Sequence, residues 1–582
     1  MAGIDSKQQS DIVDEVVSNV QEFESNTSQF LSDRDMFWDM YRGIPKLAQN
    51  RDKTEGLANL AIPATGEAVD TITNVLYTMM TAADPNFEVQ ALRGDIQESN
   101  LFKITHLLRY QQDKIKYKKK LMVALRSVVL NGTVFVEQPW ISWPAGPNPF
   151  WEACDFIVRP LAQMFWAPSA LQLEFSDYMG TLDVVTPYRM KSLYLSDNEG
   201  AVWLKDNINT AIAEGENSEF VPQEVRSKLE SLGYQDFKKN MELIIRYGPL
   251  SSVNMQEEMV VGILNRKHLV RFHPSPYPYG LRPFRIANYK ETEYQPLGMG
   301  VGHEMKDIQK WINSNMNRTM DGVTFGIFFM NFITRQFGVK FKDTKPRPWS
   351  FIEVDDVNGI KPIVPSESSV QMGLKLHELL LEMARNRTGA TPTLQAVITD
   401  ASASEVRIAQ SNSLRAVSNT AEILGETLIR DVLTFQHYNN MRFLDRPIWM
   451  RVAGIQNPFS IFPSDIQADI DIAIKIITDK DFTPKGLQND LQLLQILTSI
   501  RNQIPSIDPT AIVIDTILSI VRKLGRDPSK INLMSQDQPQ VNPEALLGLL
   551  NKEGALASGQ VPTAEALNIA QGGMNNGSLG RI

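Results

Sequence analysis

The side chains able to do chemistry are scattered along this chain. Its six histidines stand at positions 106, 268, 273, 303, 377 and 437, without the spacing of metal ligands. His303-Glu304 lacks the second histidine of a zinc-protease helix. Lys267-His268 and His273 have no evident base–nucleophile partner, and His377 falls beside an apolar helical stripe, where packing is its simplest role. Asp355-Asp356 and Asp465, Asp469, Asp471, Asp479 and Asp481 are acidic enough to raise the question of Mg²⁺ or Ca²⁺. They follow neither an EF-hand nor a compact catalytic cluster, and solvent-facing turn acids are the simpler reading. No GxxxxGK(S/T) phosphate cradle is present. Gly298-Met-Gly-Val-Gly302 has the wrong spacing for a dinucleotide fingerprint and reads as a flexible hinge. The sequence therefore assigns no catalytic residue, no metal and no cofactor.

The elements that would position functional groups are more informative, above all from Gly298 to Leu444. Val301 to Gly322 reads as a helix with Met305, Ile308, Ile312, Met316 and Thr319/Met320 on an apolar stripe. Lys306, Lys310, Asn313, Asn317 and Asp321 make a polar stripe on another face. Residues 323–366 are rich in aromatic and β-branched residues and broken by Gly and Pro, which is strand and turn chemistry. A second helix covers Glu367 to Arg387 and stops in the Thr388-Gly389-Ala390-Thr391-Pro392 break. Ser402-Ala-Ser-Glu405 then forms a capping box. Behind it Val406, Ala409, Val417, Ala421, Leu424, Leu428, Val432 and Phe435 keep helical rhythm to Leu444. Such a helix would be roughly 60 Å long at its usual rise, which suits an architectural protein better than one ordinary globular core.

Composition narrows the function classes. With 582 residues, 43% hydrophobic and 21% charged, the chain can form two to four domains. A net charge of −9 argues against a tight gripper of nucleic-acid phosphates, since that affinity comes from Lys and Arg, but allows a surface past which DNA slides. The single cysteine, Cys154, excludes an intrachain disulfide framework and a cysteine-based zinc site, and suits a buried strand in a reducing compartment. The polar N-terminus is no signal peptide, and no apolar run reaches the length of a membrane span, so no membrane partner is expected.

In chain order, Asp11 to Arg42 reads as a helix stopped by Gly43 and Pro45, and Ala64 to Ala83 as a second one leading to a strand from Asn86. Trp38 and Tyr41 read as core residues. Leu101 to Leu130 reads as one helix. It carries Lys114, Lys116 and Lys118 to Lys120, a solvated face that can also meet phosphates or an acidic neighbour. Strands follow at Thr133–Val136, Phe156–Val158 and Met164–Trp166. Residues 187–240 form a surface insertion, and Met241–Tyr247 and Glu257–Leu269 form a hairpin or meander. Pro274 to Tyr289 is a proline-aromatic connector. After the long helix, Arg446–Val452 and Ile466–Ile477 return as strands, the second alternating apolar and polar residues. The overall expectation is an α+β fold, mainly helical.

This order of elements resembles the portal proteins of tailed double-stranded DNA bacteriophages, the head-to-tail connectors, and most of all those of short-tailed phages. The likeness extends from about Phe37 to Asp481 and is carried by loose motifs: the aromatic-YRG segment ending at Gly43, the helix leading to Asp84-Pro85-Asn86-Phe-Glu-Val89, the Asn131-Gly132 turn, and Pro296-Leu-Gly-Met-Gly300 before the first long helix. In FWAPSA, Ala167 stands where portals carry an acid. The resemblance implies a wing over 1–297, a first stem helix at 298–322, a clip at 323–366 and a second stem helix at 367–388. A tunnel loop at 389–401, a long helix returning to the wing over 402–482, crown helices at 483–535 and a mobile tail at 536–582 would follow. It implies a twelvefold ring at the capsid vertex, assembled in the host cytoplasm. Duplex DNA would pass through it during packaging and ejection, with terminase large subunit, tail adaptor, major capsid and scaffolding proteins as partners.

Residue by residue, the expectation puts Lys306, Lys310, Asn313 and Asn317 on the channel-side or intersubunit face of the stem. Thr391, Pro392, Thr393, Leu394 and Gln395 would touch DNA in an uncharged loop, which permits sliding without sticking. Arg335, Lys340, Lys342, Lys345, Arg347 and Trp349 would meet the motor or adaptor, or pair between subunits. Two other readings stand beside it: a nucleic-acid-processing enzyme with a divergent acidic metal site, and a monomeric virion adaptor or scaffold module.

Overall fold

The computed structural model describes residues 5–45, 58–81, 86–92, 97–143, 151–196, 202–216, 230, 240–253, 255–293, 295–327, 330–333, 360–363, 367–390, 417–450 and 459–475. The chain divides into two compact units, 1–450 with 459–476, and 451–458 with 477–582. The described residues belong to the first. The expected crown helices and tail lie outside them, as do the tunnel-loop residues Thr391–Gln395, the basic-aromatic patch Arg335–Trp349, the Ser402–Glu405 capping box and the acids Asp355, Asp356, Asp479 and Asp481.

Helix and strand are mixed. The chain opens with α1 (Ser6–Arg42), α2 (Ala64–Thr81), β1 (Phe87–Ala91), α3 (Glu98–Lys114) and α4 (Tyr117–Asn131). Short strands follow: β2 (Thr133–Glu137), β3 (Trp140–Trp143), β4 (Trp151–Cys154), β5 (Ile157–Arg159), β6 (Met164–Trp166) and β7 (Met179–Val185). The pair α5 (Pro187–Ser196) and α6 (Lys205–Glu216) precedes β8 (Met241–Leu250), β9 (Met255–Leu264), β10 (His268–Pro274) and β11 (Phe284–Asn288). Then come α7 (Val301–Ile327), β12 (Met330–Ile333), β13 (Ile360–Ile363) and α8 (Glu367–Thr388). A helical stretch from 417 passes through a π-helical turn at Gly425–Arg430 into α9 (Asp431–Phe443), ahead of β14 (Ile448–Met450), β15 (Phe459–Ile461) and β16 (Ile470–Ile474).

Strands β6 to β10 form an antiparallel meander with α5 and α6 inserted between β7 and β8. Its two faces alternate as a pleated sheet requires. Ile244, Val261 and Ile263 pack with Ile12, Val16, Val20 and Phe23 from the N-terminal half of α1. Met241, Leu243, Leu264 and Val270 pack with Met190, Ile208 and Ile212 from α5 and α6. The C-terminal half of α1, with α2, α3, α4, the root of α7 and α9, builds a separate helical core around Phe37, Ile72, Leu125 and Leu428. One helix thus belongs to both cores. Far along the chain, β16 returns to pair antiparallel with β1, with Ile470 and Ile472 buried as the alternation required.

Four expectations need correcting. The N-terminal helix starts at Ser6 rather than Asp11, because Gln8 reaches back to accept from the Asp5 N–H at 3.3 Å and helps secure the first turn. The helix expected over Leu101–Leu130 is two. Lys116 takes a left-handed conformation (φ 57°), which turns Tyr117 inward to meet Phe156 edge-on with ring centroids 5.2 Å apart. The first long helix runs through Gly322 to Ile327; Gly322 itself lies against Val370 of α8, so the helix is supported at the residue expected to end it. Finally, Gly298, Gly300 and Gly302 are a packing joint rather than a hinge. A Cβ on Gly300 would lie 2.4 Å from Gly132 N and 2.6 Å from Leu130 O, so the end of α4 and the start of α7 meet backbone to backbone.

Candidate assembly interface

Residues Gln309, Asn313, Asn317 and Asp321 recur every four positions on α7, and each binds the stretch formed by residues 58–63 and the first turn of α2. Gln309 Oε1 accepts from Thr65 N at 3.0 Å, and its Nε2 donates to Ile62 O at 2.6 Å. Asn313 Oδ1 accepts from Ile62 N at 3.0 Å. Asn317 brackets Leu60, accepting from its N–H at 2.7 Å and donating to its C=O at 3.0 Å. Asp321 accepts from Ala58 N at 2.7 Å. The match is geometric: four helical residues rise about 6 Å, close to the advance of two extended residues. A helix face thereby substitutes for a neighbouring β-strand and satisfies backbone that would otherwise be orphaned.

The polar stripe expected to face a channel or a neighbour is therefore largely engaged within the chain. Asn313 and Asn317 belong to this ladder, and Lys306 Nζ lies 2.8 Å from both Asp33 carboxylate oxygens. Lys310 is half-exposed, with Asp307 at 3.5 Å. Gln309, which completes the ladder, is absent from the sequence-based site, and its i, i+4 spacing with Asn313 was the signal available.

The outer stripe of α7 consists instead of Asp307, Trp311 and Arg318, with Trp311 60% exposed. Helix α8 packs on α7 through Gly373, whose C=O accepts from Asn315 Nδ2 at 2.8 Å. A Cβ there would lie 2.3 Å from Thr319 Oγ1, so glycine sets the close approach. Among its 22 residues, only Ala384 and Thr388 are fully buried, both in the last turn. The pair is therefore rooted in the helical core by the C-terminal end of α8 and the N-terminal end of α7. At its other end it is joined to the β12–β13 ladder. Met372, Leu376, Leu379 and Met383 recur at 4-3-4 spacing along α8 and remain exposed, Met372 by 72% and Leu379 by 52%. These positions form the seam of a helix that packs against another helix. No described element of the chain covers it. Gly389 (φ 75°) ends α8, donating its N–H to Arg385 O at 2.9 Å.

Most of the remaining candidates have ordinary partners; an exception is His377 on α8, whose buried Nδ1 has none among the described residues. Asp465 pairs with Lys103 at 2.9 Å and Asp471 with Arg430 at 2.7 Å. In the lysine run, Lys120 pairs with Asp155, and Lys114 sits over the Tyr110 ring at 5.2 Å. His303 accepts from Gly300 N at 3.2 Å and packs edge-on to Phe37, while burial lowers its pKa. Cys154 is buried in β4, donates to Gln138 O at 3.2 Å and is pushed up to about 12 by burial. Such a thiol is inert at neutral pH.

Asp431 follows the π-helical turn. Burial raises its pKa to about 6, with Glu174 adding to the rise and Arg285 and Arg430 opposing it. Its protonated form is therefore favoured in the folded state. The stability it contributes is complete below the unfolded value near 3.8 and is lost as pH rises through about 6. Asp431→Asn should stabilise the fold at pH 7.5 by about 1 kcal/mol, partial exposure screening the rest, and the gain should vanish near pH 4. Urea denaturation at both pH values measures it; a gain that grows on acidification would contradict the assignment.

No protein-family model matches the chain, and no curated protein matches it either.

Proposed function

We propose that the chain is the subunit of a ring-forming portal at a phage capsid vertex, a non-enzymatic conduit for DNA packaging and ejection and a platform for terminase and tail adaptor. The observation that carries the reading is the apolar 4-3-4 seam left in water along α8. A lone subunit gains nothing from it. A neighbour that covered it would contribute about 1.5–3 kcal/mol for each large side chain fully buried. Its natural counterpart is the Trp311 stripe of α7 on the next copy, since a ring closes through two different faces meeting head to tail. On this reading α7 and α8 are the stem, β12 and β13 begin the clip, and Thr391–Gln395 meet the DNA. The virion is then the site of action, and capsid and scaffolding proteins are further partners.

The test is the mass of the purified protein by light scattering, with particle imaging. Twelve copies of 65.6 kDa give a ring of about 790 kDa with an axial hole wide enough for duplex DNA. Leu379→Glu with Met383→Glu should abolish the ring while changing the melting temperature little, because both side chains are already exposed. Rings that survive the double substitution would remove the seam from the argument. A monomer that cleaves DNA with Mg²⁺ would overturn the portal reading.

A further inference from the structure

Lysines crowd the corner between α3 and α4. Lys114 ends α3, Lys116 sits at the joint, and Lys118, Lys119 and Lys120 lie in the first turn of α4. Ile115 and Tyr117, between them, are buried in the helical core and root the corner there. The ammonium side is turned outward: Lys114, Lys116, Lys118 and Lys119 are all exposed.

Little in the fold answers this charge. Asp155 is taken by Lys120, and Asp113 is the one carboxylate within the run. Glu152, whose C=O accepts from Gln111 Nε2 at 3.3 Å, has Asp445 and Arg446 as its charged neighbours rather than the lysines. Lys116, Lys118 and Lys119 make no ion pair among the described residues. Their position makes this costlier. The first turn of α4 holds no acid, so Lys118 and Lys119 stand at the positive end of the helix dipole, where a carboxylate is favoured. Stability alone would place Asp or Glu there.

The chemistry of the patch selects among partners. Its cations are all lysine, a residue depleted in protein interfaces, whose energetic centres favour Trp, Tyr and Arg. A lysine ammonium is a point charge that suits phosphate oxygens. The two aromatic rings at the corner are engaged, Tyr117 with Phe156 and Tyr110 beneath Lys114, which leaves no platform for an unpaired base. The chain's net charge of −9 does not cancel the patch, because charges farther than about 8 Å are largely screened at physiological salt.

We propose that the α3–α4 corner is a contact surface for the phosphate backbone of duplex DNA, indifferent to base sequence and distinct from the 391–395 loop of the conduit. Lys116, Lys118 and Lys119 supply the contacts. One copy suffices, so the proposal does not depend on ring closure.

Fluorescence anisotropy of a labelled hairpin duplex of about two helical turns, titrated with the full chain over a range of salt, tests it. Three phosphate contacts give a slope of log affinity against log salt of about −3, so affinity should fall about twentyfold for each threefold rise in salt. Changing Lys116, Lys118 and Lys119 together to Gln should remove nearly all of that dependence with an unchanged melting curve, each lysine carrying about one unit of slope. If Lys116→Gln disturbs the joint, Lys118→Gln with Lys119→Gln carries the test. Asp113→Asn should tighten binding, and Lys191→Gln, on α5, should leave it unchanged. Absence of binding at low salt, an unaltered slope in a folded variant, or equal weakening by Lys191→Gln would overturn the proposal. So would tighter binding of polyglutamate or of the single strand, which would mark an acidic protein or unpaired bases as the partner.

Discussion

Gly132→Ala should remove most of the stability of the folded chain, a loss of at least about 3 kcal/mol by chemical denaturation. Two independent causes add. Gly132 has φ 91°, a conformation that alanine adopts only with strain. A Cβ there would also stand 2.1 Å from Gly298 O and 2.6 Å from Gly300 N, where backbone, not a flexible side chain, must move. The joint is tied by Tyr289 N donating to Gly132 O at 2.8 Å and Gly298 N donating to Thr133 Oγ1 at 2.8 Å. Moving it therefore disturbs α4, β2, β11 and the start of α7 together. Gly326→Ala supplies the contrast. Gly326 is helical, exposed and has open space around its Cβ position, so alanine should stabilise by about 0.5–1 kcal/mol. Equal effects at the two sites would show that conformational freedom alone, rather than close approach, decides the first.

That contrast also shows where sequence reasoning stops. Gly298, Gly300 and Gly302 looked like freedom because sequence reveals the missing side chain and not the backbone pressed against it. Signals acting within one element were legible. Gly43 and Gly389 end α1 and α8, and the alternating run expected as a strand over Ile466–Ile477 holds one at Ile470–Ile474. The order of α7, strands and α8 was legible too. The break at Lys116 was not, because no Gly or Pro marks it and the gain lies in Tyr117 reaching Phe156. Nor was the role of Asn317, whose partner Leu60 is 257 residues away. A polar stripe at helical spacing looks the same whether it faces water or a backbone ladder. For α8, the sequence gave a helix without saying which face the core would leave uncovered.

Arg266→Met should cost about 3–5 kcal/mol, because it strands a carboxylate in the interior. Arg266 Nε donates to Glu242 Oε2 at 2.8 Å, and Nη2 donates to Glu24 Oε1 at 2.7 Å. The Arg266 and Glu242 side chains are 3% and 2% exposed, whereas Glu24 keeps 34% of its surface in water. Removing the guanidinium thus leaves Glu242 with neither solvent nor countercharge, while Glu24 can turn outward. Arg266 also holds φ 57° beside Asn265 at φ 52° in the β9–β10 turn, so the pair of acids fixes a turn as well as a charge. Methionine keeps the length and the apolar stem and removes the donors. Adding Glu242→Gln should recover part of the loss, because a neutral amide costs less to bury than a carboxylate. Glu24→Gln should recover little. Guanidinium denaturation of the three variants separates the cases. The link joins α1 to the meander, so Arg266→Met should also raise amide exchange in the N-terminal half of α1 before that of α4. A loss under about 1 kcal/mol, or equal rescue by either glutamine, would show that the buried pair does not hold α1 to the sheet.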